Sequence, residues 1–262
     1  MDYKTVHYHE SHGIDTITLN RPDRRNAINY ELIADLTAAL SRAAASHARV
    51  VILTGAGSAF SAGMDLENLK QLIGLSDEEN LKDSRTMAGL FRTLYDFPKP
   101  TIAAVNGAAI AGGTALATLC DFTLAVPEAK FGYTEVRIGF VPGIVSSYLI
   151  ANVGEKRARD LLLTGRLFGA HEAHEIGLVN EVVEPDRLIH RAHELARHLL
   201  EISPASLRAT KRLLGAFSRE QLDRQIEQAI EENAAIRQTA DFKEGVTSFL
   251  EKRQPVWKGT AK

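Results

Sequence analysis

The chain has 262 residues and a mass of 28.7 kDa, with 45% hydrophobic, 24% charged and 6% aromatic residues. That composition excludes a disordered, collagenous or low-complexity chain. Lys and Arg number 31 against 33 Asp and Glu, and the net charge of -2 removes the electrostatic case for a nucleic-acid or anionic-membrane binder.

The length fits one large domain, or one domain with a smaller helical appendage. The single cysteine, Cys120, excludes an intramolecular disulfide and a Cys-based zinc cluster, and it suits a reducing compartment. The opening residues, MDYKTVHYHESHG, lack the basic start and apolar core of a signal peptide, so a cytoplasmic location is expected.

The first predicted element is a β-branched strand, Ile14–Leu19, stopped by Asn20-Arg21-Pro22. Leu32, Ile33, Leu36 and Leu40 share one face of a helix over Tyr30–Ala45. Val50–Leu53 reads as a buried strand and is followed by a glycine-punctuated loop from Gly55 to Met64. Helices follow over Asp65–Ile73 and Glu78–Tyr95, the second stopped by Pro98 and Pro100.

The uncharged stretch Pro100–Cys120 has the length of a membrane span. Its Ala, Gly and Thr content, with Asn106 inside and Gly107, Gly112 and Gly113 interrupting it, fits a buried strand, turn and helix instead. The strand is Thr101–Val105 and the helix runs to about Leu119. Strands over Phe122–Val126 and Lys130–Tyr133 complete the alternating part.

Beyond about Pro142 helices dominate: Ile144–Asn152, Lys156–Leu163, Ala170–Ile176, Asp186–Leu200, Ala205–Phe217, Arg219–Arg237 and Asp241–Lys252, with one strand at Leu178–Val183. The pattern predicts an α/β core with right-handed crossovers and a helical tail. Arg219–Arg237 is so polar that it reads as a solvated helix or one lying on a partner subunit.

Two loops carry glycine where a backbone must approach something closely. Thr54–Leu66 reads T-G-A-G-S-A-F-S-A-G-M-D-L, and Asn106–Leu116 reads N-G-A-A-I-A-G-G-T-A-L. Each follows an apolar strand. Either turn alone is a chain reversal. G-A-G-S-A-F lacks the third glycine of a dinucleotide fingerprint, and the chain has no phosphate-loop motif and no nucleophile elbow. Taken together, the two loops offer one exposed N–H group each, the second at a helix start, which would make an oxyanion hole for a carbonyl gaining negative charge.

Other residues have plainer readings. His171 and His174 lie three apart, the wrong spacing for a zinc helix, and no metal site is expected. Cys120 reads as core packing. Asp65 reads as a helix N-cap or a base. Arg208, Lys211 and Arg212 read as the solvated face of a helix.

Over nearly its full length the chain resembles the crotonase superfamily, the enoyl-CoA hydratases and isomerases. The matching runs are Leu19–Ile28, Ala59–Leu66, Lys99–Thr114, Cys120–Ala125, Lys130–Gly143, Glu175–Asn180 and Asp241–Arg253. The resemblance implies a spiral of ββα units over residues 1–185. It also implies a C-terminal helical region over 186–262 that builds trimers, often paired as hexamers. The substrate implied is a bent acyl-CoA thioester, so coenzyme A enters with the substrate and no separate cofactor is expected.

By resemblance the oxyanion donors are the backbone N–H groups of Met64 and Gly112. By the same resemblance the adenine end of coenzyme A would lie by the Arg24–Ile28 loop, with backbone contacts from Ala27, Ala62 and Asp65, and Arg24, Leu66 and Gly113 are further expected substrate or coenzyme A contacts. Phe249 and Lys252 match tail positions that reach coenzyme A, in some cases from a neighbouring subunit; without the resemblance Lys252 reads as a solvated lysine.

The typical hydratase has two glutamates. Here the first position is Ala115 and the second is Glu135. Water addition uses both carboxylates, whereas moving a double bond needs one base that takes a proton at C2 and returns it at C4. Glu135 is the expected acid/base; its plain reading is a strand-end carboxylate capping a backbone. For hydration another group must hold the water, and Tyr133, Thr114, Ser146 and Ser147 are the candidates. Ile144, Val145 and Tyr148 replace the usual glycine-rich run, and a bulkier, more apolar wall with altered acyl specificity is expected. Two readings remain open besides hydration: Δ3,Δ2 isomerisation, and non-catalytic binding of a CoA ester.

Overall fold

The computed structural model describes residues 3–258. Its strands are β1 (Val6–Ser11), β2 (Ile14–Leu19), β3 (Val50–Gly55), β4 (Ala59–Ser61), β5 (Thr101–Val105), β6 (Ala108–Ile110), β7 (Phe122–Ala125), β8 (Lys130–Gly132), β9 (Phe168–Gly169) and β10 (Glu181–Val182). Its helices are α1 (Tyr30–Ala45), α2 (Leu66–Gln71), α3 (Asp77–Tyr95), α4 (Gly112–Thr118), α5 (Gly143–Val153), α6 (Glu155–Thr164), α7 (Ala170–Glu175), α8 (Leu188–Glu201), α9 (Pro204–Ile236) and α10 (Ala240–Leu250).

Two sheets form. One has the order β1-β2-β3-β5-β7-β10 and is parallel from β2 onward; the other has the order β4-β6-β8-β9. β3, β5 and β7 each pass through a short turn into β4, β6 and β8 of the second sheet. This repeated strand–turn–strand step is the spiral of ββα units. Because both faces of the large sheet are covered, β5 is buried throughout and β3 up to Thr54, and both are mostly apolar.

Local chemistry accounts for the helix starts. Asn29 caps α1, its side chain accepting from the Leu32 N–H at 2.8 Å, and the predicted apolar stripe is buried. Ser76 and Glu79 form a capping box on α3. Asp65 is the N-cap of α2 and accepts from the Glu67 N–H at 3.0 Å.

The helical tail shares the main apolar core with the sheets, through Ala192 and Ala196 of α8 and Leu222, Ile226 and Ile230 of α9. No helix among the described residues is long and apolar enough to cross a membrane. The uncharged Pro100–Cys120 stretch is β5, β6 and α4.

Several expectations are corrected. β1 has no counterpart among the predicted elements. It pairs antiparallel with β2 although its own sequence, VHYHES, alternates weakly. The strand expected over Leu178–Val183 shrinks to β10, because Leu178 and Val179 turn back to hydrogen-bond Ala173. The helices expected over Ala205–Phe217 and Arg219–Arg237 are one 33-residue helix, α9. Its second half is not simply polar: Leu222, Ile226, Ala229, Ile230 and Ala234 form a buried stripe. Lys211 is not on a solvated face, since its ammonium bonds the Asp121 carboxylate at 2.5 Å and the Lys99 carbonyl at 2.9 Å.

Candidate active site

A cavity of about 480 Å³ opens between the two glycine turns, α3, α5 and α10. Met64, Gly112 and Glu135 all line it, along with Ala62 and Phe249. Residues from three separate motifs therefore meet in one place.

The two turns touch each other. A side chain on Gly63, whose φ is +83°, would meet the Ile110 carbonyl at 2.8 Å and the Ala111 Cβ at 3.2 Å. A side chain on Gly113 would meet the Ser61 carbonyl at 2.4 Å. Glycine at these positions lets the turns pack backbone to backbone.

The β4 side is fixed by the Arg24–Ile28 loop: the Ile28 N–H donates to Gly63 at 2.7 Å and the Asp65 N–H to Ile28 at 2.9 Å. On the other side the Ala111 N–H donates to Gly132 at 2.7 Å. Ala111 has φ +50° and ψ -118°, a conformation that disfavours any residue but glycine, and it sits directly before Gly112. Gly112 opens α4, where a first-turn N–H has no intrahelical acceptor. Among the described residues, neither the Met64 nor the Gly112 N–H donates to another protein group.

Glu135 begins a short 3-10 turn, Glu135–Ile138, rather than ending a strand. Gly139, at φ +67°, ends that turn, and α10 holds it from behind. A side chain on Gly245 would meet the Ile138 carbonyl group at 2.3 Å. The Glu135 carboxyl is enclosed, and burial pushes its pKa up to about 7 against a small opposing pull from its own backbone. Among the described residues its Oε2 atom has no hydrogen-bond partner. A carboxyl so held is a ready proton carrier near neutral pH.

The other predicted residues fall in two groups. Asp65 lies beside the cavity, where its carboxylate meets the Arg21 guanidinium at 2.8 Å and caps α2, which leaves it engaged rather than free as a base. Of the proposed adenine contacts, the Ala27, Ala62 and Asp65 N–H groups are all bonded inside the protein. The Ala62 carbonyl accepts nothing among the described residues. Arg24, Ala27, Leu66, Gly113 and Lys252 do not line the cavity; Leu66 lies exposed at the start of α2.

The candidates for holding water are corrected. Thr114, Tyr133, Ser146 and Ser147 do not line the cavity. Thr114 Oγ1 donates to the Ala109 carbonyl at 2.6 Å, Ser146 Oγ donates to Gly143 at 2.6 Å, and Tyr133 is buried beside Thr118. Ala115 is buried and lies outside the cavity wall. Ile144 and Val145 do line it, as expected of an apolar wall, but Tyr148 turns away and packs its ring 4.9 Å from that of Tyr95. Sequence reasoning missed Asp83, Asn233 and Arg237, which also line the cavity and which no local motif marks.

Residues 9–260 match the family model described as enoyl-CoA hydratase/isomerase. A Thermus thermophilus protein provisionally named an enoyl-CoA hydratase is 46% identical over 247 residues, which is 94% of this chain and 98% of the relative. The 1,2-epoxyphenylacetyl-CoA isomerase of Escherichia coli K12 is 35% identical over 254 residues, 96% of this chain and 97% of that protein. Among solved structures, an enoyl-CoA hydratase/isomerase from Xanthobacter autotrophicus Py2 superposes with a TM-score of 0.88 at 35% identity, covering 96% of this chain and 98% of that one. The chain belongs to the enoyl-CoA hydratase/isomerase family of the crotonase superfamily and is an acyl-CoA enzyme of that type.

Proposed function

We propose that this enzyme moves a double bond along an acyl-CoA thioester, from the 3- to the 2-position, with Glu135 as its single acid/base. Coenzyme A enters as part of the substrate, with its adenine end near the Arg24–Ile28 loop and Phe249 at the cavity rim.

One observation carries this reading: among the described residues, Glu135 is the one carboxyl in the cavity wall that no cation engages. The other, Asp83, lies 2.8 Å from the Arg237 guanidinium and accepts from the Tyr30 hydroxyl at 2.8 Å. Adding water calls for a second group to hold the nucleophile, and the position that would supply a glutamate is the buried Ala115.

The chemistry then runs as follows. The Met64 and Gly112 N–H groups donate to the thioester oxygen. Glu135 takes the proton from C2, the electron pair spreads into a dienolate, and negative charge collects on that oxygen. The protonated Glu135 returns the proton at C4, and the double bond ends between C2 and C3. Atoms and charge balance without a second base.

The test compares isomerisation of 3-enoyl-CoA with hydration of 2-enoyl-CoA on one preparation. Isomerisation is expected to dominate. Glu135→Gln is expected to lower it by about a thousandfold or more, within the range for loss of a general acid–base group. Dominant hydration would reject the one-base reading, and an active Glu135→Gln variant would reject the residue.

A further inference from the structure

The chain beyond α10 folds back on that helix. Lys252 takes a left-handed conformation, φ +56°, just past the helix end, and the Arg253 N–H donates to the Ser248 carbonyl at 3.0 Å. From there the direction reverses. The Val256 N–H donates to Glu244 at 2.8 Å and the Lys258 N–H to Asp241 at 3.2 Å. Residues Arg253–Lys258 therefore lie along α10 as a strap.

Glu244 holds most of this strap. Its Oε1 accepts from Arg253 Nη1 at 2.6 Å as well as from Val256, and its Oε2 accepts from Arg253 Nη2 at 2.9 Å. The Arg253 fork, and after it the Val256 N–H, hold the carboxyl down to about 2, so it is ionised near neutral pH. The Arg253 and Glu244 side chains are 40% and 20% exposed, and an ion pair this open to water adds little stability. What it does is fix the path of the chain after α10.

That path leads along the substrate cavity. Arg253 and Pro255 line the cavity, as do Ser248 and Phe249 of α10. Pro255 is half-buried, whereas Arg253, Gln254, Val256, Trp257 and Lys258 are exposed. Proline suits the place, because its fixed φ leaves little freedom to lose and it has no N–H to satisfy. The Arg253 guanidinium is occupied by Glu244 and by Glu251, whose Oε2 accepts from Nε at 2.6 Å. Elsewhere in the cavity wall Phe91, Ile144 and Val145 are buried and apolar, which suits an acyl chain, while Phe249 is 50% exposed. The strap thus lies at the open rim.

We propose that Glu244 is a positioning residue for substrate binding: it ties the strap to α10 and so sets Pro255 against the coenzyme A arm of the thioester at the rim. The inference rests on the reading that an acyl-CoA ester occupies this cavity. Glu244 itself does not line the cavity and acts through Pro255.

The test uses the full chain and octanoyl-CoA, a saturated ester, so that binding is read without turnover. Glu244→Leu keeps a good helix former in α10 and removes both ties to the strap. Trp257, the one tryptophan of the chain, reports on the strap through its emission. In the variant the emission of the unliganded protein is expected to change. The calorimetric Kd for octanoyl-CoA is expected to rise about tenfold, as for the loss of one half-buried apolar contact. In turnover of the enoyl-CoA substrate KM is expected to rise, with kcat kept within about twofold.

An unchanged Kd overturns the proposal, whether or not the emission changes. A weaker Kd with unchanged emission overturns it as well, because the loss then does not come through the strap. A larger fall in kcat overturns it by showing that Glu244 acts on the neighbouring Gly245 contact, and through it on the base. If Glu244→Leu does not fold, Pro255→Gly, which leaves the Glu244 tie in place, decides by the same Kd: a rise of about tenfold supports the proposal and an unchanged value overturns it. Failure of the unaltered protein to bind octanoyl-CoA or crotonyl-CoA would reject the acyl-CoA site itself. Equal binding by the unaltered protein and the variant rejects only this inference.

Discussion

Glu135 is enclosed in an apolar wall, and its pKa of about 7 lies well above the 4.5 of a free glutamate. Between those two values the folded state holds the proton and the unfolded state does not. Stability from this group is therefore fully present below about pH 4.5 and is lost as pH rises through about 7. Once the carboxyl is ionised, the cost is on the order of 3 kcal/mol, since each tenfold change in proton affinity corresponds to about 1.36 kcal/mol. Glu135→Gln removes that charge. It is expected to raise the melting temperature at about pH 8.5 clearly more than at about pH 5, with protein concentration held fixed. Equal shifts at the two pH values would mean that the carboxyl is not enclosed. The activity of the unaltered enzyme has the opposite slope, because the base must be ionised: kcat/KM for 3-enoyl-CoA is expected to fall about tenfold for each pH step of one below neutrality. The same desolvation that weakens the fold at alkaline pH brings the base to working strength near neutrality.

At the scale of elements, the position of Glu135 depends on a helix distant in sequence. α10 can approach the 3-10 turn only because residue 245 is glycine. Gly245→Ala would drive its methyl into the Ile138 carbonyl, where an ideal Cβ lies 2.3 Å away. The variant is expected to lose about 2 kcal/mol of stability. Isomerisation is expected to fall by up to about a hundredfold as the carboxyl is displaced. A stable, fully active Gly245→Ala would show that α10 does not position the base. Such dependence was not legible in the sequence, although much else was. β2, α1 and β5 have the bounds their residues predict, because β-branched runs and a one-sided leucine stripe are strong local signals. β4 and β6, three residues each, are too short for any period to show. α9 runs through Ser218, which separates the expected helices Ala205–Phe217 and Arg219–Arg237, because the leucine, arginine, glutamine and glutamate around it favour helix. The motifs carrying Met64, Gly112 and Glu135 were legible, and all three residues line one cavity. The Asp83–Arg237 wall was not, since its partners come from α3 and the end of α9 and meet only once the chain has folded.

For the whole molecule, the distribution of apolar surface along α9 bears on assembly. Its second half buries Leu222, Ile226 and Ile230 against the same chain, so that segment has no need of a partner. Its first half does the reverse. Leu213, Leu214 and Phe217 are 55%, 62% and 76% exposed. At spacings of one, three and four residues they share one side of the helix. A cluster of large apolar side chains is unusual on a monomer and marks a contact surface. With a net charge of only -2, little electrostatic repulsion holds copies apart. We propose that a second copy of this chain covers this face, in the trimer or hexamer that the family resemblance implies. In sedimentation velocity the unaltered protein is expected to run as a trimer or hexamer. Leu214→Asp/Phe217→Asp, which puts two charges on the face, is expected to run as a monomer while keeping its helical content by circular dichroism. An unaltered protein that sediments as a monomer would remove the proposal; an undisturbed oligomer in the variant would move the interface to another face. Neither Leu214 nor Phe217 lines the cavity. Any loss of isomerase activity that tracks dissociation would then mean that the neighbouring copy helps to hold the site in shape.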